Sequence, residues 1–156
     1  MAKIGVSDTY FAGEEGIYKV YDFDYEAKVQ YYTDLEKSKM FGLFFIPHAW
    51  FCAPVILGYM FSGFIEKNTS DFHRGQHFAV TVDGVKFVQD SHLSAFRCEC
   101  TRKGKSSRTH GYDKITNVDV IEGAGSSGCF LCMVPNTLDT LKIENAGVFL
   151  CTHFCA

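Results

Sequence analysis

The sequence predicts an α+β protein in which a helix and an apolar segment precede an antiparallel sheet. Three observations support this prediction. Apolar residues recur at helical spacing near the N-terminus, residues 40–65 contain no Asp, Glu, Lys or Arg, and apolar residues alternate on both sides of Asp83-Gly84. A period near 3.6 residues indicates a helix, and a period of two indicates a strand. With 156 residues and 47% apolar content, the chain can form one domain and an appendage.

The predicted N-terminal segment, residues 1–39, contains an amphipathic helix. One face of this helix is formed by residues spaced i, i+4, i+8 and i+11, namely Tyr21, Tyr25, Val29 and Tyr32. Asp22 or Asp24 is suited to cap its start, and Lys39 lies near its end. The opposite face carries Lys28, Asp34, Glu36 and Lys37. The tyrosine-rich face suits the interfacial zone of a membrane, and a helix docked on the β domain is the alternative.

Residues 40–65 form a charge-free segment of twenty-six residues. A straight helix of this length, at about 1.5 Å per residue, would just exceed a hydrocarbon core of about 30 Å. Two prolines inside it disfavour a straight helix, because each removes a backbone donor. The segment predicts a membrane hairpin in one leaflet, with a single span or a buried core element as alternatives. The residues expected to insert are Phe44, Phe45, Pro47, Trp50, Pro54 and Phe61.

The remaining chain is patterned as a β domain over residues 76–147. An Asp-Gly pair between alternating apolar residues predicts a two-residue hairpin in which both turn residues have positive φ. Further strands are predicted at 106–112, 117–122, 129–134 and 137–144, with a flexible GAGSSG connection at 123–128. One sheet face would carry Phe78, Val80, Val82, Val85, Phe87, Val118, Val120, Leu141 and Ile143, and this face must be covered.

The ordered set HFAVTVDGVKFV, HGYDKITNVDVIEG and TLKIENAG behind an apolar segment resembles the bacterial-type pleckstrin-homology-like (bPH) domain. The resemblance covers residues 76–147 and is nearest to membrane-anchored, protist-like members. It implies a pleckstrin-homology-like antiparallel sheet or partial barrel beside a membrane, and no defined reaction. In that family a further strand and a long plugging helix follow the final Ala-Gly. Here only a short apolar tail, residues 148–156, remains, which suggests a shortened C-terminus.

Positive charge is concentrated in the middle of the chain. Residues 66–115 hold nine Lys or Arg against six acids, whereas residues 1–39 hold eight acids against five lysines. We expect five of these basic residues to contact lipid headgroups: Arg97, Arg102, Lys103, Lys105 and Arg108. A solvated loop is the alternative. Nucleic-acid binding is not expected, because the net charge is −3 and only Phe96 is interleaved with the basic residues.

The seven cysteines suggest a second class of function. Four of them, Cys98, Cys100, Cys129 and Cys132, would suffice for a tetrahedral zinc site if their two segments meet. Because the N-terminus lacks a secretory signal pattern, we expect reduced thiols on the cytosolic side instead. No Gly-rich phosphate loop or oriented Cys–His pair is present, so neither catalysis nor a cofactor is predicted.

Together these features predict a membrane-anchored binding or scaffold module at the cytosolic leaflet. Its expected partners are membrane lipid and either a protein partner or a second copy of the chain. The alternatives are a thiol or zinc protein, and a structural subunit of a larger membrane assembly.

Overall fold

The computed structural model describes residues 9–21, 23–129, 132–136, 138–145 and 148–154. Three α-helices lie in these ranges: α1 (Tyr25–Leu43), α2 (Ala53–Phe61) and α3 (Phe64–Arg74). The strands are β1 (Ile17–Tyr21), β2 (Gln76–Thr81), β3 (Gly84–Gln89), β4 (His92–Leu93), β5 (Arg102–Lys103), β6 (Ser106–Gly111), β7 (Ile115–Ile121), β8 (Ser126–Cys129), β9 (Cys132–Pro135), β10 (Asp139–Asn145) and β11 (Val148–Phe154).

All strand pairs are antiparallel, which confirms the predicted α+β class. One sheet has four strands in the order β1-β2-β3-β6, and a second has three in the order β11-β10-β7. Two short ribbons, β4-β5 and β8-β9, stand apart from these sheets. The chain passes from the first sheet to the second through β6, a 3₁₀ turn at Tyr112–Lys114, and β7.

The core lies on both faces of the four-stranded sheet. On one face Phe23, Phe78 and Val85 pack with Ile143 of the second sheet. On the other face Ala79 and Val88 pack against Phe11. Part of the predicted apolar face is therefore covered by Phe23 and by the second sheet.

Helix α1 begins where the sequence predicts but buries a different face. Asp24 caps it by accepting a hydrogen bond of 3.0 Å from the Ala27 amide. Lys28, on the charged face of this helix, is buried, with only 3% of the residue exposed. Its Nζ donates to Gln76 Oε1 at 2.7 Å and lies 4.6 Å from the centre of the Phe23 ring. These contacts replace water around the ammonium group.

The predicted β2–β3 hairpin is present, but its turn differs from the prediction. Neither Asp83 nor Gly84 has a positive φ. Instead, the Gly84 amide donates to Thr81 Oγ1 at 3.1 Å, and that hydroxyl donates to the Gly84 carbonyl at 2.9 Å. A β-carbon at Gly84 would overlap the His110 carbonyl of β6. Glycine is thus required by the close approach of two strands.

In the apolar segment, the two prolines begin helices instead of breaking one. Pro47 opens a 3₁₀ helix, Pro47–Cys52, and Pro54 lies in the first turn of α2. Proline is tolerated there because the first amides of a helix have no intrahelical acceptor. Within the described residues, no helix combines the length and the apolar character that crossing a membrane requires.

Two further elements differ from the sequence prediction, and the tail forms a strand. Helix α3 occupies a polar stretch for which the sequence pattern predicts no helix or strand, and it buries Ile65, Thr69 and His73. Part of the GAGSSG connection pairs, within β8, with β9, which covers the second half of the predicted strand 129–134; residues 130 and 131 of that strand lie outside the described ranges. The short tail contains β11, whose seven residues all pair with β10.

Candidate functional site

The apolar segment, residues 40–65, exposes most of its large apolar side chains. Phe51 is 92% exposed, Phe61 84% and Trp50 68%, and no residue of α2 is buried. The other large apolar side chains exposed here are Phe41, Leu43, Phe45, Ile46, Val55 and Leu57. Of the predicted insertion residues, only Phe44 is half-buried. A contiguous exposed patch of this kind is typical of a surface that binds a membrane or another protein.

Hydrogen bonds fix the bend that presents these side chains. Trp50 Nε1 donates to the Phe44 carbonyl at 2.8 Å, which satisfies a carbonyl freed where α1 ends. At the other end of α2, Ser62 Oγ donates to the Tyr59 carbonyl at 2.7 Å. Gly63, with a φ of +73°, then starts α3. The segment therefore continues from the end of α1 through the 3₁₀ helix and α2 to α3, with hydrogen bonds near both ends.

The basic loop, residues 91–105, is attached to this segment through Ala95. The Ala95 carbonyl accepts from Asn68 Nδ2 at 2.6 Å and from the Tyr59 hydroxyl at 3.4 Å. The exposed Phe96 ring packs edge-on against Tyr59, with ring centres 5.4 Å apart. Two non-glycine residues, Ala95 and Arg97, have positive φ in this loop. The start of the basic loop and the apolar segment thus belong to one surface.

Three of the five predicted lipid-binding residues are paired with carboxylates. Arg97 donates to Asp71 at 2.7 Å, Arg102 to Glu99 at 2.7 Å, and Lys105 lies 3.4 Å from Asp90. Within the described ranges, Lys103 and Arg108 make no ion pair, and both are exposed. Arg108 lies in β6, opposite Phe87. The carboxylates neutralise part of the charge that the sequence pattern suggests.

Asp90 connects the basic loop to the N-terminal 3₁₀ turn, Thr9–Phe11. Its Oδ1 accepts from the Tyr10 hydroxyl at 2.6 Å, and the Tyr10 ring stacks on His77 at 3.8 Å between ring centres. Burial raises the pKa of Asp90, but hydrogen bonds from Tyr10 and Lys105 outweigh it and hold that pKa below its usual value. Burial and the bond to Asp90 raise the pKa of Tyr10.

Two of the four predicted zinc ligands are bonded to each other. Cys98 and Cys100, expected as free thiols, form a disulfide with their Cα atoms 5.3 Å apart. Cys129 and Cys132 are register partners in the β8-β9 ribbon. Among the side chains that the structure describes, no group of three His, Cys, Asp or Glu residues is placed to hold a metal ion.

Two cavities adjoin these features. One, of about 510 Å³, lies between α1, α3 and the basic loop, and its lining includes Lys28, Tyr59, His73 and His92. The other, of about 670 Å³, lies between the two larger sheets. Its lining is largely apolar: Tyr21, Phe78, Val80, Val85, Tyr112, Ile115, Val118, Val120, Asp139, Thr140, Leu141 and Ile143. Both volumes are in the range of small-molecule sites.

Several of these features are not predicted from the sequence. The attachment through Asn68, Tyr59 and Ala95 joins three segments distant in sequence, and no local pattern indicates it. The spacing Ile65, Thr69 and His73 could have indicated α3. Comparison of the chain with protein-family models, curated proteins and solved structures finds no match.

Proposed function

We propose that this protein is a membrane-anchored binding or scaffold module whose apolar segment inserts into one leaflet. The observation behind this proposal is the exposure of the large side chains of residues 41–61, which include no charged residue. Helix α2 has nine residues and is about 14 Å long at 1.5 Å per residue. This length suits insertion to about half of a hydrocarbon core of about 30 Å.

Apolar burial is large enough to drive this insertion. Each large apolar side chain transferred from water contributes about 1.5–3 kcal/mol. Insertion of Trp50, Phe51 and Phe61 alone would contribute roughly 4–9 kcal/mol. A basic residue near an anionic leaflet adds only about 1 kcal/mol. We therefore assign anchoring to the apolar segment, and a preference for anionic lipid to the basic residues.

The attachment of the basic loop supports headgroup contact beside the inserted segment. Phe96 and Arg97 follow Ala95, whose carbonyl is bonded to Asn68 and Tyr59. Lys103 and Arg108 retain the full charge that such contact requires, since neither is ion-paired within the described ranges. Binding at the cytosolic leaflet is part of the proposal, as are a protein partner or self-association on the remaining surface.

We also propose a pleckstrin-homology-like architecture for the β domain. The resemblance implies a further strand after the final Ala-Gly of the β domain. β11 supports this expectation, because it follows Gly147 and pairs with β10 along its full length. The largely apolar cavity between the two larger sheets is a further observation in favour of a partial barrel.

The single tryptophan of the chain provides a direct test of insertion. Trp50 lies in the bend and is 68% exposed, so its emission reports only on the apolar segment. On addition of anionic vesicles to the full chain, we expect its emission to shift to the blue. Quenching by acrylamide in the aqueous phase should fall at the same time. Unchanged emission and quenching at saturating lipid would contradict insertion and favour a protein partner for this surface.

Accessibility of two flanking positions distinguishes a hairpin from a span. In a hairpin, residues 39 and 67 lie on the same side of the membrane. Cysteines placed at both positions, in vesicle-bound protein, should react equally with an impermeant reagent added outside. Reaction at only one of them would show that the segment crosses the bilayer.

A further inference from the structure

We propose that Cys98 and Cys100 form a thiol–disulfide exchange site, whose disulfide is opened and remade by low-molecular-weight thiols. The two cysteines are separated by one residue, Glu99, and lie in the basic loop between β4 and β5. A cross-link restricts the unfolded chain less when the loop it closes is shorter. This disulfide closes a loop of three residues, so its contribution to the fold is small and it can open without unfolding the protein.

The two sulfur atoms differ in their surroundings. Cys100 is exposed, whereas Cys98 is half-buried and its Sγ lies 3.8 Å from the Thr101 hydroxyl oxygen. An attacking thiolate therefore reaches Cys100 more easily. Attack at the accessible Cys100 sulfur makes Cys98 the leaving group. We therefore expect external thiols to attack Cys100 and to release Cys98.

The charges around the pair favour a thiolate. Arg97, Arg102 and Lys103 lie within the same loop, and their carboxylate partners are Glu99 and Asp71. These groups sum to three positive and two negative charges. The net positive charge comes from Lys103, which has no ion-pair partner within the described ranges. Positive charge stabilises the thiolate, which is both the nucleophile and the leaving group in disulfide exchange.

The reaction consumes two external thiols for each disulfide that it reduces. A thiolate RS⁻ attacks Cys100 Sγ, forms the mixed disulfide RS–S–Cys100, and displaces Cys98 as a thiolate, which takes up a proton. A second RS⁻ attacks the R-bearing sulfur, releases RSSR, and leaves the Cys100 thiolate, which is then protonated. Two electrons pass from the two RS⁻ groups to the protein disulfide. Attack on RSSR by the protein thiols reverses the sequence.

Hydrogen bonds that do not involve sulfur hold the loop in both states. Ser94 Oγ donates to the Thr101 carbonyl at 2.9 Å, and the Thr101 hydroxyl lies 2.9 Å from the Cys98 carbonyl oxygen. Asn68 holds Ala95 from outside the loop at 2.6 Å. These contacts keep the two thiols close after reduction, so the disulfide can form again. This makes the site reversible.

A tryptic peptide isolates the pair for measurement. Cleavage after Arg97 and Arg102 releases residues 98–102, which contain both cysteines and no other. The folded full chain is equilibrated with reduced and oxidised glutathione at a series of ratios, alkylated and digested with trypsin. The masses of the peptides are then measured by mass spectrometry. We expect no alkyl group on this peptide in oxidising mixtures and two in reducing mixtures. Cys52→Ser, which removes an exposed free thiol, should leave the transition at the same ratio.

Single variants test the direction of attack. Oxidised glutathione should modify Cys100 in the Cys98→Ser variant severalfold faster than Cys98 in the Cys100→Ser variant. Equal rates would refute the proposed asymmetry. Three results would overturn the site itself: two alkyl groups in oxidising mixtures, a disulfide to another cysteine, or a peptide that reduced glutathione never opens. None of these measurements requires a membrane, so the result is independent of the proposed insertion.

Discussion

A charge at the tip of the apolar segment should abolish most membrane binding and leave the fold intact. Phe51 is 92% exposed in the 3₁₀ helix between the two prolines. Phe51→Asp forfeits about 1.5–3 kcal/mol of apolar transfer and adds the cost of bringing a carboxylate toward the hydrocarbon. A loss of about 3 kcal/mol corresponds to roughly a hundredfold weaker affinity for vesicles.

The free energy of unfolding shows whether a loss of vesicle binding comes from a damaged fold. Because Phe51 is so exposed, its substitution should change the free energy of unfolding by no more than about 0.5 kcal/mol. Val82→Asp is the matched control, since Val82 is an apolar residue 70% exposed in the β2–β3 turn, outside the apolar segment. Vesicle flotation and urea unfolding would be measured for both variants. Equal binding by Phe51→Asp and the parent chain would refute the reasoning, as would an equal loss with Val82→Asp.

Three further predictions concern charge, pH and packing. Replacement of Lys103 and Arg108 by Gln should weaken the free energy of binding to anionic vesicles by about 1 kcal/mol per residue at low salt, as measured by flotation. Binding to neutral vesicles should not change. Equal effects on both vesicle types would contradict headgroup contact. Asp90→Asn should lower the free energy of unfolding by about 1 kcal/mol at pH 7, because Asp90 accepts a hydrogen bond from Tyr10. The folded pKa of Asp90 lies below its unfolded value of about 3.9, so its contribution is present above that value and is lost as the pH falls through the folded pKa. The free energies of unfolding of the parent and variant, measured in urea, should therefore converge in strong acid. A difference that stays constant with pH would show that the Asp90 carboxylate is not its cause. Gly84→Ala should cost about 1–3 kcal/mol of unfolding free energy, because its β-carbon meets the His110 carbonyl, whereas the control Gly104→Ala meets nothing within 4 Å.

Local patterns in the sequence predict much of the sheet but not how its parts meet. The Asp83-Gly84 hairpin and the strands near 106–112 and 117–122 follow from period-two alternation, which acts over a few residues. The burial of Lys28 depends on Gln76 of β2 and on Phe23, which precedes α1, so the local pattern of the helix does not indicate it. Helix α3 is missed because a polar stretch conceals three buried positions at helical spacing.

The apolar segment and the basic loop also combine features that local sequence predicts with features that depend on tertiary contacts. The absence of charge in residues 40–65 predicts an apolar segment. Whether that segment is exposed depends on tertiary packing, because another part of the chain could cover it. The basic residues are predicted as a group because they are close in sequence. Their carboxylate partners Asp71 and Asp90 come from other elements. A cluster of like charges in sequence therefore overstates the free charge at the surface.

The N-terminal quarter of the chain should be indispensable for the β domain, and a truncation series can test this. β1 pairs with β2, with Tyr21 opposite Phe78, and shields that edge of the first sheet. Phe23 and Phe11 are buried in the clusters on its two faces. A fragment of residues 76–156 would lose both phenylalanines, about 3–6 kcal/mol of burial, and leave β2 as an open edge.

A domain stable by about 5–15 kcal/mol cannot easily sustain this loss together with the lost strand pairing. We expect the fragment to self-associate or to melt without cooperativity, as judged by sedimentation and thermal unfolding. A chain beginning at residue 9 is the matched control, because it retains Phe11, β1 and Phe23 and should melt like the full chain. A monomeric, cooperatively melting fragment of residues 76–156 would show that the second sheet, which includes β11, suffices to cover the apolar face.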